Sequence, residues 1–144
     1  MNEPSFSREP IYSALFSLLQ RIPGVQTTSR KLKHWADVED FPAIFQNQKS
    51  ELAAKSGRGV QTVWTLSCDI YVYVRVSADR LTSTELNEVL DHIQGALAAP
   101  EPISNKQTLG GLVEDCWING QIITDEGALG EIGVAIIPVQ IIVS

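Results

Sequence analysis

Few residues in this sequence have the types and spacings that catalysis demands. Nucleophilic chemistry needs a serine or cysteine beside a base, and the only imidazoles are His34 and His92. His92 stands next to Ile93 in the acidic company of Glu88 and Asp91, the setting of a surface histidine, while His34 lies in a basic stretch beside Trp35. The two cysteines, Cys68 and Cys116, share no CxxC spacing and make no metal-ligand pattern with the histidines. Each falls on the apolar side of an alternating segment, so both read as buried free thiols rather than a disulfide or a metal site. Paired carboxylates could do acid and base work, and Glu114-Asp115 and Asp125-Glu126 are the candidates. Neighbouring residues of a strand point to opposite faces, so the first pair cannot converge, and the second sits in a turn. The glycines of Gly57-Arg-Gly59 and Leu109-Gly-Gly111 lack the lysine and hydroxyl residue of a phosphate loop. The expectation is therefore no catalytic residue, no cofactor, no metal, and no enzyme.

The element that dominates the chain is the segment 61–76. Trp64, Leu66, Cys68, Ile70, Val72, Val74 and Val76 share one face of a strand, and Thr65, Ser67, Asp69, Tyr71, Tyr73 and Arg75 share the other. A usual strand has about 6 residues. One this long is expected to project beyond the core of a small domain and to find a partner in another subunit.

Other elements follow from caps and periodicity. Ser7 before Arg8-Glu9-Pro10 reads as a helix start, and Ile11, Leu15, Leu18, Leu19 and Ile22 recur at helical spacing until Pro23-Gly24. A short strand is expected in Val25–Leu32, a loop from Trp35 to Phe41, and a strand from Phe41-Pro42-Ala43 to about Lys49. Residues 50–60 hold two glycines and no apolar period, which reads as a flexible hairpin tip. Thr82-Ser-Thr-Glu85 has the form of a capping box, and Leu86, Val89, Leu90, Ile93 and Leu97 line one face of a second helix that Ala99-Pro100-Glu101-Pro102 stops. Leu112–Ile123 alternates as a strand, turns through Asp125–Gly130, and returns as a charge-free strand, Gly133–Val143. Pro138 in that strand cannot donate to a ladder, so one side there must be unpaired or bulged. These patterns predict a single domain over 1–144, of α+β class: a mixed, largely antiparallel sheet with two main helices on one face and a long projecting β-hairpin.

The net charge of −6 is uneven: residues 1–60 carry eight Lys/Arg against six Asp/Glu, and residues 61–144 carry three against eleven. The acidic C-terminal part argues against gripping phosphate, which needs clustered cations, and suits a surface past which nucleic acid slides. There is no apolar run of the roughly 18 residues that span a bilayer, and Met1–Ser7 has no secretory pattern, so a cytoplasmic site of synthesis is expected.

The order of these features resembles the tail terminator proteins of long-tailed bacteriophages and prophages, over nearly the whole chain. The resemblance rests on Arg8-Glu-Pro-Ile11 opening the first helix, Pro42-Ala-Ile-Phe45, Tyr71-Val-Tyr-Val74, Leu86-Asn-Glu-Val-Leu90, Thr108-Leu-Gly-Gly-Leu-Val113, Cys116-Trp-Ile-Asn-Gly120 and Val134-Ala-Ile-Ile-Pro-Val139. It implies a non-enzymatic virion subunit, made in the host cytoplasm, that forms a hexameric ring on the head-proximal end of the tail tube. Its partners would be further copies of itself, the tail tube protein and the head–tail connector, with DNA passing through unbound and no membrane involved. The candidate subunit or tube contacts are Trp35, Phe41, Lys49, Lys55, Arg58, Tyr71 and Tyr73, and the candidate lumen-facing acids are Glu114, Asp115, Asp125 and Glu126. Alternative readings are a connector or tube protein of the same particle, or a small bacterial ligand-binding domain.

Overall fold

A strand that alternates over thirteen residues needs hydrogen-bond partners along its whole length, and the computed structural model supplies them on both sides. The structure describes residues 6–77, 79–100, 103–127 and 131–144. Met1–Ser5, Glu101-Pro102 after the second helix and the last residues of the turn expected through Gly130 lie outside that set. The elements are α1 (Arg8–Gln20), β1 (Thr27–Ser29), β2 (Ala43–Ala54), β3 (Val63–Arg75), α2 (Thr82–Ala96), β4 (Asp115–Ile118), β5 (Ile123–Asp125) and β6 (Ile132–Val143), with a 3-10 turn at Trp35–Asp37. The class is α+β, as the patterns predict.

The six strands form one mixed sheet in the order β1-β2-β3-β6-β4, with β5 also paired to β6. Only β1 and β2 run parallel; the remaining pairs are antiparallel. β3 lies between β2 and β6, paired with β2 from Val63 to Tyr73 and with β6 from Trp64 to Arg75. Its length is therefore absorbed inside the sheet, and the expected projecting hairpin is not confirmed. β2 is the strand that runs out of cover. β1 pairs only with Ala43–Phe45, so the outer edge of Gln46–Ala54 is open among the described residues.

Alternation decides the two faces. Leu66, Cys68, Ile70, Val72 and Val74 of β3 and Ala135, Ile137, Val139, Ile141 and Val143 of β6 are buried beneath Ile11, Tyr12, Leu15 and Leu19 of α1 and Leu86, Val89 and Ile93 of α2. Each such aliphatic side chain contributes on the order of 1.5–3 kcal/mol by leaving water. Gly133 lets α2 approach: a Cβ there would collide with Thr82 Cγ2 and press on Val74 Cγ2 at 3.1 Å. Gln46, buried among these apolar groups, donates from Nε2 to the Tyr12 carbonyl at 2.9 Å and so ties β2 to α1.

Three local expectations are corrected. Residues 50–54 are strand, and the tip shortens to 55–62, because an edge strand paired on one side needs no apolar alternation to be held by β3. Leu112–Ile123 is two strands instead of one. The break falls opposite Pro138, whose carbonyl accepts from Asn119 N at 3.0 Å while its nitrogen, on the same side, has nothing to donate. Gly120, with φ +124° and with Pro138 Cγ only 3.1 Å from where a Cβ would sit, makes the step from β4 to β5. Finally, α2 is capped by Leu81 without a side-chain hydrogen bond, and Glu85 pairs with Arg80 instead of closing a capping box.

Candidate interaction surface

The opposite face of the same sheet carries no helix. Register places Tyr71, Tyr73 and Arg75 of β3 opposite Ile136, Val134 and Ile132 of β6, respectively, with Ile123 and Asp125 of β5 on the far side of Ile136 and Val134. One end of this face is closed by the segment before β2. Val38, Ala43, Phe45 and Tyr73 form a small second core there, with Phe41, Tyr71 and Val134 packed against it. The Tyr73 hydroxyl donates to the Lys33 carbonyl at 2.8 Å, and burial raises its pKa above the ordinary phenol value. Phe45 and Tyr73 rings lie 5.5 Å apart, and the Arg75 guanidinium sits 4.9 Å over the Phe41 ring.

Beside that second core is a groove of about 320 Å³ lined by Trp35, Tyr71, Tyr73, Ile123, Asp125, Val134 and Ile136. Trp35 is held over it by the 3-10 turn, in which the Ala36 N–H donates to His34 Nδ1 at 3.1 Å. The tryptophan remains 41% exposed and Ile123 56% exposed. These open apolar side chains beside a formed concavity make the groove the candidate contact surface of this face.

The predicted residues separate into groups. Trp35, Tyr71 and Tyr73 come together in the groove, with Phe41 in the adjoining second core. Lys49 is the extra residue of a β-bulge in β2, and its Nζ lies 3.8 Å from Asp69 on the helix-free face. Lys55 and Arg58 are at the β2–β3 tip, toward the opposite end of β3. The acidic candidates do not gather. Asp125 is on the groove, where its Oδ1 accepts from Gly127 N at 2.8 Å; Glu126 is exposed in the turn that follows. Asp115 and Glu114 lie toward the other end of β6, where Asp115 Oδ1 accepts from Gln107 N and Cys116 N and Glu114 accepts from Ser144 Oγ. Ile123, Val134 and Ile136 complete the groove without having been singled out. The signal for Val134 and Ile136 was the charge-free C-terminal strand, which stays apolar at both positions on the face away from the helices.

The reactive side chains stay apart. Burial pushes both thiols, Cys68 and Cys116, up to about 12, so neither is a nucleophile near neutral pH. Among the described residues no three His, Cys, Asp or Glu side chains gather to hold a metal, and no helix is long and apolar enough to cross a membrane. No protein-family model matches the sequence, and no curated protein is significantly similar to it.

Proposed function

We propose that the protein is a structural virion subunit that assembles head to tail into a ring on the end of a phage tail tube, stops tube growth and presents a surface to the head connector. The observation that carries an assembly role is the asymmetry of the sheet: one face is closed by two helices, while the other keeps an aromatic groove and β2 keeps an open edge. Such surfaces gain from a protein partner, by apolar packing or strand addition. The tail-tube setting rests on the resemblance of the ordered segments from Arg8–Ile11 to Val134–Val139. In a ring, whichever acidic cluster faces the lumen, Glu114 with Asp115 at one end of β6 or Asp125 with Glu126 at the other, would repel phosphate and let DNA move.

The test is electron microscopy of the purified protein mixed with growing tail tubes. A terminator decorates one end of each tube and fixes its length. Lateral decoration or no binding overturns the reading, and polymerisation of the protein into tubes of its own would make it a tube protein.

A further inference from the structure

We infer that the β2–β3 tip of one copy seats in the aromatic groove of the next, with Arg58 meeting Asp125 between Trp35 and Tyr71. This rests on the head-to-tail assembly proposed above and names the two surfaces that meet.

The groove offers aromatic faces, an aliphatic floor and one carboxylate at its side. That combination takes a guanidinium: the apolar stem packs on the floor, the planar head stacks on a ring, and the carboxylate pairs with its charge. The guanidinium on the neighbouring strand position, Arg75, already lies over the Phe41 ring.

The chain itself carries the matching piece. From Leu52 to Cys68 there is no acidic residue, and Lys55 and Arg58 stand in that stretch. Among the described residues the ion pairs are Arg8–Glu51, Arg30–Glu9, Lys49–Asp69 and Arg80–Glu85, which leaves Lys55 and Arg58 without an ionic partner. The tip is a defined turn. Val60 N donates to the Gly57 carbonyl at 3.3 Å and Gly59 takes φ +78°, which sets Arg58 at the apex. Leu52, Val60 and Val63 are exposed around it, so apolar surface travels with the charge.

A chain cannot fill its own groove. Tyr71 and Val63 are eight positions apart on β3, about 26 Å at the strand rise. The connection 55–62 reaches only about 13 Å from its stems. Tip and groove are thus two different patches at opposite ends of one subunit, which is what a head-to-tail contact requires.

Sedimentation of the 144-residue chain without tail tubes tests this. The wild type is expected to associate with rising concentration up to about 1 mM. K55E/R58E and D125K each alone should weaken association by about tenfold or more. Mixed together, the intact tip of D125K meets the intact groove of K55E/R58E, and the reversed charges at 58 and 125 face each other at the second contact, so the mixture should recover association. Recovered association also shows that both variants are folded. A wild type that stays monomeric, variants that associate like the wild type, or a mixture that stays monomeric would each overturn the inference. Association through another surface leaves the tube-capping reading standing, whereas tip-and-groove association by a protein that ignores tube ends removes that reading alone.

Discussion

Ile136 and Ile137 are the same residue type, adjacent in β6, and they face different worlds. Ile137 is 0% exposed beneath the helices, whereas Ile136 is half-buried in the groove of the bare face. The covered face is packed by α1 and α2 against the whole length of β3 and β6; the other is closed only at one end, by the segment around Trp35–Phe45. The buried core is concentrated on the first face, and the second is the one proposed for contact. The largest test of that division is a matched pair of truncations. Ile137→Ala should cost about 2–5 kcal/mol, through lost burial and the cavity left behind, and Ile136→Ala about 1 kcal/mol or less. Urea unfolding of both variants measures the gap, and equal losses would erase the distinction.

Alkali should also attack the covered face first. Cys68 and Cys116 have folded pKa values of about 12 against ordinary thiol values of 9.0, and burial pushes Tyr12 from 10.0 to about 12. A raised pKa means that the folded state holds its proton where the unfolded chain has lost it. Stability is then fully present below pH 9 and falls as pH rises from 9 toward 12. Each unit in that window costs up to about 1.4 kcal/mol per thiol, so unfolding at pH 10.5 should show a loss of about 4 kcal/mol from the two thiols together relative to pH 8. The C68A/C116A variant will be weaker at pH 8, but its decline with pH should be shallower. An unchanged slope would place the sensitivity elsewhere.

Gly133→Ala sharpens the comparison from the helix side. The added methyl meets Thr82, Val74 and Leu86, so α2 must lift from β6. The expected cost is about 1–3 kcal/mol, read as a lower urea midpoint.

The covered face was legible because burial writes itself into alternation. Leu66 to Val74 and Ala135 to Val143 repeat every second residue, and the helix stripes of Leu15 and Leu19 and of Leu86 to Ile93 repeat at helical spacing. Residues 50–54 were illegible as strand for the converse reason: at an open edge both of their faces are exposed, and no apolar period marks them. The β4–β5 break was half legible. Pro138 announced an unpaired position, but alternation alone could not say that Gly120 on the facing chain would turn there. The groove was the least legible feature. Tyr71 and Tyr73 show which face they occupy, but Trp35 reaches Ile123 only because a 3-10 turn folds over the sheet end and β5 pairs with β6 at Ile136, and pairings so distant in sequence leave no local trace.

The smallest stability effect carries the most information about the bare face. Ile123 belongs to a three-residue strand exposed throughout, at the rim of the groove. If the groove is a surface for a partner, Ile123→Ser removes apolar area that is already in water, and the free protein should change by about 0.5 kcal/mol or less. Association should respond far more, because the same side chain would leave water only when a second copy seats against it. The decisive comparison is the ratio of the two effects, taken from urea unfolding at low concentration and sedimentation at high concentration. A loss of monomer stability as large as that of Ile137→Ala, with association untouched, would make the groove an extension of the core and not a place where another molecule binds.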